Sequence, residues 1–290
     1  MGLRLKFNLV LVVVFLAGFV VAGLVSRELL QENARSEVVR EARLMMEAAF
    51  AVRTYTIDKI RPHLIKQLDE VFLPQTVPAF AATEAINTLR KTYPDYSYKE
   101  ATLNPTNPRN RTSDWEADLV NRFRQFPDIK EIVSERQSST GRSLFNAKPF
   151  QIGNPACLQC HSLPSAAPPS MLKIYGEANG FGWKHNEIVG AQVVSVPMEL
   201  PLKNAERTFF TFMTALAAIF MAGFVVLNVM LTWMIVRPIR SMSQAADHIS
   251  TGDFGQPEFS EKGKDEMAVL GSSFNRMRRS LEKAMQMIDQ

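Results

Sequence analysis

Thr208–Val236 reads TFFTFMTALAAIFMAGFVVLNVMLTWMIV, a stretch without a charged residue, and Arg237-Pro238-Ile239-Arg240 follows it directly. A helix needs about 20 predominantly apolar residues to cross the hydrocarbon core of a bilayer, and this run is long enough. A second such run, Phe7–Ser26, reads FNLVLVVVFLAGFVVAGLVS. It is longer than the apolar region of a cleaved leader, and no small-x-small site precedes a polar start, so an uncleaved anchor is expected. Both runs are too long and too uniformly apolar for core helices of a soluble domain. Arg4 and Lys6 precede the first run, and Arg237 and Arg240 follow the second. The positive-inside rule therefore places both termini in the cytoplasm. The expected organisation is a cytoplasmic N-terminus (1–6), a transmembrane helix (7–26), an outer segment (27–207), a second transmembrane helix (208–236) and a cytoplasmic tail (237–290). In a bacterial inner membrane the outer segment is periplasmic.

The average composition, 46% hydrophobic and 21% charged, conceals these two concentrations of apolar residues. Net charge is +4, with Lys and Arg spread along the chain and no basic stripe, so no nucleic-acid partner is expected. The two cysteines are too few for a disulfide framework.

In the outer segment, Val38, Leu44, Met45, Ala48, Ala49, Val52 and Tyr55 recur at helical steps from Arg27 to about Leu73, and Pro62 should end or kink that helix. Residues 76–91 read as a second helix. The run Asn104-Pro105-Thr106-Asn107-Pro108-Arg109-Asn110 reads as a loop, and 115–126 as a short amphipathic helix stopped by Pro127. Strands are expected at Ile129–Arg136, Ser143–Pro149 and Ile188–Pro197. Helices on a small antiparallel sheet make an α+β domain.

Within it stands Cys157-Leu158-Gln159-Cys160-His161, the C-x-x-C-H motif of covalent c-type haem. Two thiols at this spacing reach the two vinyl groups as thioethers, and the adjoining imidazole of His161 ligates the iron. Asn154-Pro155 before it and Pro164 after it point to an ordered loop. A zinc site would need further ligands, for which only His63 and His185 stand out, and a thioredoxin-like pair would open a helix in a βαβ unit. The outer location agrees independently with haem c, which is attached outside the membrane. One covalent haem c per chain is the expectation. For the sixth ligand the thioether of Met46, with Met45 as the alternative, is the candidate. The other reading of both is core packing, and an open five-coordinate iron is a third.

The residues around the motif also carry a resemblance. Asn154–His161, Ala167-Pro168-Pro169-Ser170, Ile174-Tyr175-Gly176, Asn179-Gly180-Phe181-Gly182-Trp183 and Gly190–Pro197 resemble a family of c-haem sensor domains long described as a domain of unknown function. Val52-Arg53-Thr54-Tyr55, Pro78-Ala79-Phe80-Ala81-Ala82 and Asn107-Pro108-Arg109-Asn110 resemble earlier blocks of that family, so the likeness runs over about residues 41–197. It implies a PAS-like α+β fold with one haem, often joined to signalling modules. One family member uses a cysteine thiolate as sixth ligand; this chain has no third Cys to take that place.

In the tail, Ile235, Ile239, Met242, Ala246 and Ile249 recur at alternating four- and three-residue steps. A connector, Thr251-Gly252-Asp253-Phe254-Gly255-Gln256-Pro257, breaks the helix. The pattern resumes at Met267, Leu270, Phe274, Met277, Leu281, Ala284 and Ile288. Two short heptad helices cannot bury such stripes alone, so a parallel homodimeric bundle is expected. The tail resembles a HAMP relay module, with Pro238, Asp265-Glu266, Leu270, Phe274-Asn275 and Met277 matching its pattern. The layout implies a transmembrane receptor that senses redox state or a diatomic gas through a periplasmic haem and signals to a separate cytoplasmic protein. The alternative is a membrane-anchored c-type cytochrome that transfers electrons within a membrane complex. No distal acid–base constellation marks it as an enzyme.

Overall fold

The computed structural model describes residues 2–138, 141–260, 263 and 265–288; Met1 and residues 289–290 of the expected terminal segments, with the side chain of Ile288, lie outside the described residues. Helix α1, Leu3–Tyr55, takes in both the first apolar run and the amphipathic stretch after it. Its buried residues Val38, Ala42, Met45, Met46 and Ala49 form one stripe. Leu44 and Tyr55, expected on that stripe, are instead 70% and 59% exposed, because they fall on other faces of the 3.6-residue turn.

Pro62 acts before its own position. It has no N–H to donate, and its ring would clash with the carbonyl four residues back. The chain responds with a π-helical turn, Thr56–Ile60, in which the Arg61 N–H donates to the Thr56 carbonyl. A single α turn, Arg61–Leu64, and a 3₁₀ turn, Ile65–Gln67, complete the stop.

Beyond a 3₁₀ turn at Pro74–Thr76, helix α2 covers Pro78–Leu89. Strand β1, Ser97–Thr102, was not anticipated: its SYKEAT sequence has no apolar alternation, yet Tyr98, Glu100, Ala101 and Thr102 are buried. Helix α3 is Asp114–Gln125. At its start the Glu116 carboxylate accepts from the Ser113 N–H (2.7 Å) and hydroxyl (2.8 Å), an S-x-x-E capping arrangement. Strands β2 (Ile132–Ser138), β3 (Gly141–Gln151) and β4 (Ile188–Pro197) complete an antiparallel sheet in the order β1-β4-β3-β2. Helix α4, Pro169–Tyr175, lies between β3 and β4 in the chain.

Alternation along β3 and β4 builds a core on each face of the sheet. Leu144, Val194 and Val196 pack with the α1 stripe and with Ala82 and Ile86 of α2. Phe145, Ala147, Ala191 and Val193 pack with Leu119, Val120 and Phe123 of α3. The result is three layers, helix–sheet–helix. Ion pairs Arg43–Glu131 (2.7 Å) and Lys148–Glu47 (2.6 Å) tie α1 to the sheet, each worth about 1 kcal/mol or less where solvent-exposed.

These elements make one unit, Arg27–Thr208; Met1–Ser26 and Phe209–Gln290 make a second. In the second, helix α5, Glu199–Met230, carries the other apolar run and passes into a π-helical turn, Leu231–Val236, directly before helix α6, Arg237–Ser250. Pro238 stands at the start of α6, as Pro62 follows the first π turn. Phe15 stacks on Phe220 at 4.9 Å between the two apolar stretches. Both are long and apolar enough to span a bilayer; the most apolar windows are 0% and 6% buried. Helix α7, Glu266–Ile288, follows the connector. The buried Asn275 amide accepts from the Phe259 N–H (3.0 Å) and donates to the Phe259 carbonyl (2.9 Å), holding the connector against α7.

Phe123 is fully buried beneath the sheet. Phe123→Ala is expected to cost about 3–5 kcal/mol of folding stability, measurable as a lower urea midpoint by tryptophan fluorescence.

Candidate functional site

Asn154 begins the site, its side-chain oxygen accepting from the Ala156 N–H at 2.9 Å. Pro155, with φ already suited to a helical start, opens a 3₁₀ turn through Cys157 that runs into one α turn, Leu158–His161. The motif thus rides on helical turns and not on the expected loop. The consequence is geometric: residues three and four apart share a helix face, so Cys157, Cys160 and His161 are presented together.

All three line a cleft with about 1230 Å³ of empty volume, open to solvent. Its wall is mainly apolar and aromatic, including Ile57, Phe72, Phe80, Phe150, Tyr175 and Trp183. Arg53, Arg61 and Arg109 supply positive charge. Burial pushes both thiols up, against the opposing effect of nearby arginines, so they remain protonated at neutral pH.

His161 is held from three directions. Its ring stacks on Trp183 with centroids 4.1 Å apart and planes 13° from parallel. Its Nδ1 lies 2.8 Å from the Gly180 carbonyl and 3.4 Å from the Thr106 hydroxyl. A carbonyl oxygen only accepts, so Nδ1 carries the proton of the neutral ring and Nε2 keeps its lone pair. Burial lowers the imidazole pKa, which favours that neutral form. The Asn104 side chain fixes the carbonyl-bearing loop, accepting from the Gly180 N–H at 3.2 Å and donating to the Phe181 carbonyl at 3.4 Å.

On the opposite chain segment, Arg53 near the end of α1 pairs with the buried Glu100 of β1. The Tyr98 hydroxyl donates to the same Glu100 oxygen at 2.8 Å. Burial opposes the charged guanidinium, but the Glu100 carboxylate outweighs it and raises the Arg53 pKa. Burial and the same carboxylate push the Tyr98 phenol well above its usual value.

Met45 and Met46 are not brought to this cleft. Met46 is fully buried and Met45 is 8% exposed, both within the α1–sheet core. Among the described residues the methionine that lines the cleft is Met171, in α4. His63 and His185 are exposed and outside the lining. The blocks that carry the family resemblance include Arg53 and Gly180 but do not reveal what either contacts, and Glu100 lies in none of them.

Comparison with known proteins adds the following. A family model described as Tll0287-like matches residues 31–197, more than half of the chain, and a HAMP domain model matches 230–283. Among solved structures, the crystal structure of the cyanobacterial heme-protein Tll0287 is similar at 15% identity, over 52% of this chain and 94% of that one, with a TM-score of 0.38. No curated protein matches.

Gly180 tests the geometry. Its φ is +83°, and a Cβ there would lie 1.9 Å from the Thr106 hydroxyl and 2.8 Å from the Thr106 Cα. Gly182 also has positive φ, +79°, but open space around it. Gly182→Ala should cost about 1 kcal/mol from backbone strain alone, and Gly180→Ala distinctly more, read as the larger fall in thermal midpoint.

Proposed function

Because the chain belongs to the Tll0287-like family over residues 31–197 and carries a HAMP domain at 230–283, we propose that it is a transmembrane sensor that detects redox state or a diatomic gas through a covalently bound haem c. The observation that carries this reading is the state of His161. A metal-bound histidine needs a free, neutral nitrogen and a hydrogen-bond acceptor for the N–H of the other one, and the Gly180 carbonyl supplies that acceptor. Cys157 and Cys160 share the cleft with that ring, and they would hold the haem through thioethers. The apolar and aromatic wall suits the macrocycle. When bound, haem supplies a one-electron ferric–ferrous change and a site for a diatomic ligand. The protein's part is to fix the imidazole plane through Trp183, to hold the proton on Nδ1, and to shelter one face from water. The three-layer arrangement supports a PAS-like sensor domain, and no catalytic reaction is assigned to it.

The membrane reading rests on apolar surface. Val13, Val14, Leu16, Ile219 and Met221 are exposed side chains of helices α1 and α5, and only an apolar environment makes that exposure favourable. Arg4 and Lys6 before the first span and Arg237 and Arg240 after the second support an arrangement with residues 27–207 in the periplasm and both termini in the cytoplasm. In the HAMP segment, Ile239 of α6 and Leu270, Met277 and Leu281 of α7, members of the two heptad series, are 44–49% exposed. We assign these to a homodimeric bundle that passes the signal to a separate cytoplasmic protein.

Expression of the wild-type chain with a c-haem maturation system should give a haem-staining band on a denaturing gel, and Cys157→Ala with Cys160→Ala should abolish it. His161→Ala should retain the stain but shift the Soret band. A wild-type protein without the stain contradicts the reading.

A further inference from the structure

Glu100 is 1% exposed, yet among the described residues only one of its carboxylate oxygens is used: Oε1 receives both the Arg53 guanidinium and the Tyr98 hydroxyl, while Oε2 has no hydrogen-bond partner there. Buried ion pairs contribute little to stability, and a buried carboxylate oxygen left unpaired is a cost. The pair therefore calls for an explanation other than folding. Its position offers one. Arg53 and Glu100 line the same cleft as Cys157, Cys160 and His161. The Arg53 guanidinium lies 5.1 Å above the Phe150 ring, Phe150 meets Trp183 edge-on at 6.2 Å, and Trp183 stacks on His161. Arg53 is also two residues from the end of α1, where the π turn Thr56–Ile60 begins and where Ile57 and Arg61 join the cleft wall.

The neighbouring charges are otherwise engaged. Gln192 stands opposite Glu100 in β4, and Lys148, next in register on that face, is held by Glu47 at 2.6 Å. Arg109 is paired with Glu84 at 2.7 Å, and Arg61 donates to the Gln159 side-chain oxygen Oε1 at 3.3 Å.

We propose that the Arg53–Glu100 pair is the charge-responsive element of the cleft, through which the oxidation state of a bound haem acts on the end of helix α1. The inference rests on the haem reading above. One-electron reduction by an external reductant lowers the positive charge in the cleft by one, and charges there interact through a poorly screening interior. Linkage makes the effect reciprocal: whatever free energy the pair adds to the haem's reduction equilibrium, the haem's oxidation state returns to the pair. Arg53 and Glu100 thus act as positioning residues, with Arg53 favouring the reduced haem and Glu100 the oxidised one.

The test uses the full-length, haem-loaded chain in detergent, titrated spectroelectrochemically with dithionite and ferricyanide. Glu100→Gln should raise the equilibrium constant for reduction about tenfold, or about 59 mV for one electron, and Arg53→Gln should lower it by a similar factor. Tyr98→Phe, a milder change that removes one donor from Glu100 and leaves its negative charge less compensated, should lower it by about threefold. Hydrogen exchange of the amides of residues 53–60 should differ between oxidised and reduced wild-type protein, and the difference should shrink in Arg53→Gln. Shifts of the same sign in the two charge variants, a Tyr98→Phe potential equal to wild type, or identical exchange in both states overturns the inference. A wild-type chain that shows no haem band overturns the haem reading itself, an outcome distinct from a loaded chain whose potential ignores these substitutions.

Discussion

A carbonyl oxygen accepts hydrogen bonds and never donates them, and at Gly180 that property decides the chemistry of the site. It draws the imidazole proton to Nδ1, 2.8 Å away, and leaves Nε2 with its lone pair free. The bond exists only because two distant segments meet. The loop at 104–107 delivers Asn104 and Thr106, and the loop at 179–183 turns back on them through a glycine with no room for a side chain. The sheet brings them together: β1 ends at Thr102 and β4 begins at Ile188, paired antiparallel, so both loops leave the same end of the same strand pair. The helical turn Leu158–His161 then needs only to present its ring to that junction.

Proline places a second constraint, on both long helices. Pro62 and Pro238 each follow a π-helical turn, Thr56–Ile60 and Leu231–Val236, in which the hydrogen-bond register opens by one residue. Such turns are intrinsically weaker than α-helix and concentrate at functional positions. In the unit Arg27–Thr208 the π turn adjoins Arg53 and the cleft; in the other it stands between the apolar helix and the first HAMP helix. Each is a place where a modest change in local free energy can alter helix geometry, which is what a relay between two packings requires.

Much of this was legible in the sequence because it is written in local periodicity. Ile188–Pro197 reads as a short apolar strand and is one, with Val194 and Val196 in one core and Ala191 and Val193 in the other. The α1 stripe follows the three- and four-residue steps through Val38, Met45 and Ala49. What stayed hidden depends on long-range partners. Ser97–Thr102 reads as polar and becomes a strand because β4 supplies its hydrogen bonds and Arg53 pairs with the charge of Glu100. Met45 and Met46 offered a ligand's chemistry at a plausible distance along the chain, but the side of α1 they occupy faces the sheet. The helical conformation of the motif was obscured by its prolines: Pro155 reads as a breaker but opens the 3₁₀ turn, where a missing N–H costs nothing.

The central claim, that the state of a periplasmic haem is transmitted to the HAMP helices, is tested most directly by bis-maleimide cross-linking of the haem-loaded chain in lipid nanodiscs. Single cysteines would replace Leu270, Met277 or Leu281, with Cys157 and Cys160 already consumed as thioethers. If the protein is a sensor, the relative cross-linking yields at these three positions differ between oxidised and reduced haem, or with and without a bound diatomic gas. Identical yields in every haem state would contradict the account and favour a haem that only carries electrons.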